Sequence, residues 1–311
     1  MAEMTSEREG LRIDPDSFAG GHFRHAVHNT WDPYGDVSQE ALRRDRENLI
    51  EADVTREQFV GMLQILARFG AGEEAVTEDL TPLLGVLDDI DDQMFVASQV
   101  YDEALHTEFF DRYWREVVLE VAERTDWPAL MPTDERFFNE SYVELFDRTE
   151  RAMSSLEGDS SPANRVRAYC HYHIGIESIL AQTGYWNITK LFGPDETTLE
   201  VAREMPDLPG LVEGIRHVRA DEGRHVGFGM HKIQHHVAND DVAPDVVADV
   251  LETLMPLIAE SVAVDASDPE DDPVVDYARA KLEHRLDVIL DEEADVPPAE
   301  ELVELTPTIA R

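Results

Sequence analysis

Asp221-Glu222-Gly223-Arg224-His225 lies in a run whose apolar positions recur every three or four residues: Leu211, Ile215, Val218, then Glu222, His225, Gly229 and Ile233. That recurrence marks one face of an α-helix. It puts a carboxylate and an imidazole, three residues apart and pointing the same way, on the face the fold should bury. A buried glutamate is costly unless it is paired or bound to a cation.

The same arrangement occurs earlier, in Asp102-Glu103-Ala104-Leu105-His106, on a face reading Val96, Val100, Glu103, His106, Phe110, Tyr113, Val117. Each motif is preceded by a lone glutamate on another apolar face. Glu73 follows Phe59, Met62, Leu63, Leu66 and Phe69 and precedes Val76, Leu80 and Leu84. Glu177 lies among Tyr169, His173, Ile176 and Leu180. A single Glu-x-x-His arises about once by chance in a chain this rich in glutamate. Two copies on long apolar faces, each after a lone inward glutamate, are far harder to obtain by accident. The order Glu, Glu-x-x-His, Glu, Glu-x-x-His is the ligand set of a ferritin-like dimetal carboxylate site. Two divalent ions about 3.5–4 Å apart carry four positive charges, which four carboxylates neutralise. The imidazoles suit iron, manganese or zinc.

Working outward, helical periodicity dominates from about residue 38 to 265, and no strand-rich section or solenoid repeat interrupts it. Thr55 with Gln58 forms a capping box that opens the first long helix. The second starts near Asp91 and the third covers roughly 135–156. The fourth begins at Ser161-Pro162, with proline at its first position, and runs to about Lys190. A short connector is expected at 197–204. A fifth long helix follows Pro209, another spans about 244–264, and a last runs from Asp276 to Leu290. The reading is all-α: a ferritin-like four-helix bundle core with additional helices. It divides into an N-terminal arm (1–37), a dimetal-binding helical domain (38–265), and a C-terminal helix with a mobile acidic tail (266–311). His22, His25 and His28 read as part of a polar N-terminal segment, and His235-His236 as residues meeting a helix dipole.

Of the 311 residues, 67 are acidic and 26 basic, for a net charge of −41. Lysine stands only at Lys190, Lys232 and Lys281. Such a surface excludes general attraction to nucleic acid or anionic lipid. It is the composition expected of a halophilic cytoplasm, where ~1 M salt shortens the Debye length to ~3 Å. The single cysteine, Cys170, makes no intrachain disulfide and is expected to be buried and inert. No stretch approaches the ~20 apolar residues of a membrane span, and Met1–Asp16 lacks the basic start and apolar run of a signal peptide. A cytoplasmic location is therefore expected.

Gly72-Glu73-Glu74-Ala75-Val76-Thr77, Asp102-Glu103-Ala104-Leu105-His106 and Asp221 to Gly229 resemble the small subunit of ribonucleotide reductase. More closely, they resemble its ligand-binding oxidase relatives, over about residues 28–240. The resemblance implies a first metal, manganese in these oxidases, on Glu73, Glu103 and His106. It implies a second, iron, on Glu177, Glu222 and His225, with two irons as the alternative. It further implies a Val76–Tyr172 ether cross-link made during oxygen activation. The radical tyrosine of ordinary reductase subunits is replaced here by Phe110. Tyr172 is poorly phased with Glu177 on an ideal helix, and a π-bulge would bring them together. Asp221 is placed to fix a ligand histidine, and Trp31 resembles the tryptophan of a Trp–Asp–His electron path. The implied activity is a two-electron C–H oxidation beside a long-chain fatty acid or similar lipid-like ligand, with dioxygen as oxidant, in a homodimer. The alternative is a reductase small subunit that lacks a radical tyrosine and serves a large subunit. A non-enzymatic metal store is disfavoured by the single site and the absence of any sign of a cage.

Overall fold

The computed structural model describes residues 12–194, 205–263, 272–291 and 293–305. The expected 197–204 connector and the last residues of the tail lie outside these. The described residues contain no strand. Thr55 caps α3 (Arg56–Val86) with the full capping box: the Gln58 backbone N–H donates to Thr55 Oγ1 and the Thr55 N–H to Gln58 Oε1. α3 is about 46 Å long at 1.5 Å per residue. Asp89 caps α4 (Ile90–Tyr113), which continues through a π-turn (Trp114–Val118) into α5 (Leu119–Arg124). The expected helix at 135–156 breaks in two. A 3₁₀ turn (Glu135–Phe137) comes first, and Asn139 then caps α6 (Glu140–Ser154) through the Tyr142 N–H. Pro162 opens α7 (Pro162–Tyr169), which runs without a break into a π-helix (Cys170–Ala181) and α8 (Gln182–Phe192). Pro209 opens α9 (Pro209–Asn239); α10 (Asp245–Val262) and α11 (Pro273–Leu290) follow.

α3, α4, the α7–π–α8 rod and α9 form the bundle, with α10 packed on the π-helix and α6. Two apolar clusters fill it. One holds Phe59, Leu63, Leu66, Phe109, Phe110, Leu211 and Ile215. The other holds Val76, Leu80, Phe95, Tyr172, Val226 and Phe228. On α3, α4 and α9 alike, the chain passes from one cluster to the other at the glutamates singled out above. The carboxylates thus form a polar belt between two apolar halves. α9 approaches the π-helix closely only because Gly229 has no side chain: a Cβ there would lie 2.3 Å from that of His173.

The described residues of both ends include helices that pack on the bundle. Within the expected arm, Ser17 caps a helix, α1 (Phe18–Asn29), that lays Ala19 and Ala26 on α4 and α9. α2 (Gln39–Glu51) also packs on α9. Where the mobile tail is expected, α12 (Ala299–Leu302) lies on α9. Leu302 is buried, Arg285 donates to its carbonyl at 2.6 Å and Lys281 to that of Glu304 at 2.8 Å. Gly223, inside the second motif, is what admits α12: a Cβ there would stand 2.2 Å from the Ala299 carbonyl oxygen. No helix among the described residues is long and apolar enough to cross a membrane.

Candidate metal centre

All six expected ligand residues are buried and meet at mid-bundle. Glu73, Glu103, His106 and Glu222 each present an atom within 4.8 Å of the others, as do Glu103, Glu177, Glu222 and His225. Glu103 and Glu222 belong to both groups, so the two sets share two carboxylates. Glu74, the neighbour of Glu73, is exposed. His106 Nδ1 lies 3.1 Å from Glu103, 3.4 Å from Glu73 and 3.6 Å from Glu222. His225 Nδ1 lies 3.1 Å from Glu103, 3.4 Å from Glu222 and 3.8 Å from Glu177.

The outer nitrogens are held crosswise. His106 Nε2 faces Asp221 Oδ2 at 3.2 Å and His225 Nε2 faces Asp102 Oδ2 at 3.3 Å, each aspartate reaching from the opposite helix. Arg224 joins the two aspartates at 2.8 and 2.7 Å. Trp31 donates to Asp221 Oδ2 at 2.9 Å, completing the Trp31–Asp221–His106 chain, and stacks on His217.

Several atoms of the cluster are buried without a hydrogen bond: Glu103 Oε1, Glu177 Oε2, Glu222 Oε2 and His225 Nδ1. They crowd together yet are not aligned on one another, as expected of donors directed at a common third party. Six carboxylates surround two imidazoles and one guanidinium. Even with both imidazoles protonated, negative groups outnumber positive ones two to one. Burial therefore pushes the Glu73 carboxyl up to about 8 and that of Glu177 well above its usual range. Among the four glutamates, Glu103 is the exception. Burial would raise it, but His225 and His106 together hold it below the ordinary value. Burial opposes protonation of both imidazoles and their carboxylate neighbours override it, so both pKa values rise. A pair of divalent cations fits this donor set: it removes the excess negative charge and lets each imidazole be neutral.

Tyr172 and Val76 are adjacent. The Tyr172 hydroxyl donates to the Val76 carbonyl at 3.3 Å, and both residues are buried. Their phasing is resolved by the π-helix, whose i→i+5 repeat brings Tyr172 and Glu177 to one face. Phe110 stacks on Phe69 and meets Phe109 edge-on, with no hydroxyl at that position. Cys170 is buried.

Four further residues were not singled out from sequence for the parts they play. Asp102 and Arg224 complete the crossed pairing. Gln99 donates to Glu177 Oε1 at 2.7 Å and Tyr185 to Glu222 Oε1 at 3.0 Å. Gln99 stands one turn before Glu103 and Tyr185 two turns after Glu177, so helix phase carried a signal for both. A cavity of about 860 Å³ opens onto Glu73, Glu103, Glu177 and Glu222. Val76, Met62, Ile65, Phe69, Ile176 and Leu180 give it a largely apolar wall.

The bundle and its carboxylate–histidine belt define a class: a ferritin-like dimetal carboxylate oxidoreductase. No family model matches the chain. Among solved structures it is similar to R2-like ligand-binding oxidase. A glycine-to-phenylalanine variant of that oxidase with anaerobically reconstituted Mn/Fe cofactor is 26% identical, with a TM-score of 0.74 over 92% of this chain and 100% of that one. A tyrosine-to-phenylalanine variant with aerobically reconstituted Mn/Fe cofactor is 25% identical, with a TM-score of 0.72 over 90% and 98%. A valine-to-isoleucine variant with anaerobically reconstituted cofactor is 25% identical, with a TM-score of 0.74 over 92% and 100%.

Proposed function

We propose that this chain is a dioxygen-dependent oxidase that holds manganese and iron, or two irons, and carries out a two-electron C–H oxidation next to a lipid-like ligand. Glu73, Glu103 and His106 would hold one ion and Glu177, Glu222 and His225 the other, with Glu103 and Glu222 within reach of both. When bound, the pair supplies Lewis acidity and redox equivalents for oxygen reduction. Asp221 and Asp102 accept from the outer nitrogens of His106 and His225, which leaves each Nδ1 free to face an ion. The cavity supports an apolar ligand, since its volume lies in the range of small-molecule sites, roughly 300–1,000 Å³, and its wall is largely apolar. A long-chain fatty acid has that character.

The observation that carries this reading is the Val76–Tyr172 contact together with Phe110. In the proposed cross-link, a C–O bond forms between Val76 Cβ and Tyr172 Oη as a C–H and an O–H bond are lost. Dioxygen takes up the two electrons and two protons. The protein is loaded with manganese and iron without air, exposed to air, digested and analysed by peptide mass spectrometry. A species joining the Val76 and Tyr172 peptides with two hydrogens lost is expected. Val76→Ala should abolish it and retain the metals. A loaded, oxidised site without the link overturns the cross-link and moves the reading to a reductase small subunit, checked by reductase activity on mixing with a large subunit. The composition supports operation in a salt-rich cytoplasm, and the likeness to the oxidases supports a homodimer.

A further inference from the structure

A second concavity, of about 330 Å³, lies where α6, α7, the π-helix and α10 meet. Its polar lining is dominated by Arg148, Arg151, Arg167 and His171, joined by Asn164 and Ser155. None of these residues belongs to the carboxylate cluster or to its cavity.

Its charge runs against that of the chain. In a protein with 67 acidic side chains, a cation finds carboxylate partners almost by default. Here Arg148 and Arg151 share one, Glu144, at 2.7 and 3.5 Å. Among the described residues Arg167 has no ion pair within 4 Å. Its only hydrogen bond among the described residues is a long one to Asn164 Oδ1, at 3.4 Å. Asp159 feels its charge, but Asp159 Oδ1 already accepts from the Ser161 N–H. His171 Nδ1 is buried without a partner. Burial and the charges of Arg148 and Arg151 hold the His171 ring neutral, with a pKa of about 4. Three guanidinium groups and the His171 ring therefore line one hollow, with a single shared carboxylate paired to them among the described residues.

We propose that this groove binds an oxyanion of the phosphate class, taken up free or as a phosphomonoester. Guanidinium forks match phosphate oxygens two at a time. The volume leaves room for an organic remainder beyond the phosphoryl group, at the lower end of small-ligand pockets. A bound dianion would also stabilise a protonated His171, which gives the site a local reporter.

The test uses the full-length protein at fixed ionic strength in potassium chloride. Inorganic phosphate and adenosine monophosphate are titrated in separate arms, followed by calorimetry and by the ring resonances of His171. Saturable binding of one anion per chain is expected, with the His171 pKa rising above about 4. Tighter binding of the nucleotide assigns the site to phosphomonoesters; equal binding assigns it to the free anion. Arg151→Gln with Arg167→Gln, both exposed residues, should weaken binding roughly tenfold or more. Glu144→Gln should tighten it. Thr253→Glu, which puts a carboxylate at the rim, should weaken it even if the double variant is unstable. Identical responses to phosphate and to added chloride, or unchanged binding in the Thr253→Glu and double arginine variants, overturn the proposal.

Discussion

The two halves of the carboxylate belt are built from the same motif and surrounded differently. On both α4 and α9 an aspartate precedes the glutamate, and each aspartate crosses to the histidine of the other helix. Arg224 sits between them. Beyond this shared frame the symmetry ends. On the His106 side, Asp221 also accepts from Trp31, which stacks at 4.9 Å on the partly exposed His217. A polar and aromatic path therefore leads from this half toward solvent. On the His225 side, Asp102 has no such donor among the described residues, and Phe95 stands against His225. Behind Phe95 lies His22, packed on Phe18 of α1. This half is covered by aromatic rings and the His22 imidazole, with His25 beside Arg224 beyond them. One motif, used twice, thus gives two proposed metal positions of equal charge and unequal access.

Arg224 is where the two halves depend on one another most. It is 1% exposed and is the only guanidinium bonded to either aspartate among the described residues. Arg224→Met would leave two buried carboxylates without their cation. Removing one partner from a buried ionic network costs about 3–5 kcal/mol. Denaturant unfolding at fixed high salt should show a loss of that size, with both halves failing together. A loss below about 1 kcal/mol would mean that the aspartates are held by their histidines alone, and the halves would then be independent.

The sequence reveals the repeated part of this site better than the part that differs. Long apolar faces interrupted by Glu73, Glu103, Glu177 and Glu222 suffice to place four helices and six inward side chains, because periodicity reports which face is buried. The resemblance that pairs Tyr172 with Glu177 puts them out of phase on an ideal helix, and a π-helix is found there. What periodicity cannot report is contact across sequence. The bonds from Asp102 to His225 and from Trp31 to Asp221 join residues 123 and 190 positions apart. The docked ends escape for a related reason. The segment 293–305 buries Leu302 and Val303, but two buried apolar residues in so short a stretch carry no periodicity, and the grip of Arg285 on the Leu302 carbonyl leaves no pattern in the segment itself.

Asp221→Asn and Asp102→Asn sharpen the comparison. Loss of an outer partner of a ligand histidine typically weakens metal binding 10–100-fold. Asp102→Asn should lower occupancy at the His225 position and leave the tryptophan fluorescence of Trp31 unchanged. Asp221→Asn should lower occupancy at the His106 position and alter that fluorescence. Elemental analysis after loading measures the first effect and emission spectra the second. Equal loss of both metals in both variants would make the belt one unit.

The closed half should also carry an acid weakness. Burial, followed by the charges of Arg224, His25 and His225, lowers the His22 pKa from 6.5 to about 4. The unfolded chain then binds the proton more readily, so the stability due to neutral His22 is complete above pH 6.5. It is lost as pH falls from 6.5 through 4. Discounted for partial exposure, the loss is on the order of 2 kcal/mol. His22→Phe should remove this limb from the pH profile of unfolding. His217, in the open half, is also shifted down, by burial and then by Arg216, but by less than His22. His217→Phe should change the profile far less. Similar profiles for the two variants would erase the difference in access.

The smallest effect tests whether the open path is structural or only conductive. Trp31→Phe removes the indole N–H from Asp221 Oδ2 but keeps a ring to stack on His217. Asp221 still meets His106 and Arg224, so the loss should lie at the low end for a hydrogen bond to a charged group, about 1.5 kcal/mol. Metal content should not change, because the orientation of His106 is fixed by the carboxylate and not by the indole. Reduction of the oxidised, metal-loaded protein by an external donor should slow, because the ring stacked on His217 no longer donates a hydrogen bond to Asp221. If metal content instead falls as far as in Asp221→Asn, Trp31 is what positions Asp221, and the open half is built as rigidly as the closed one.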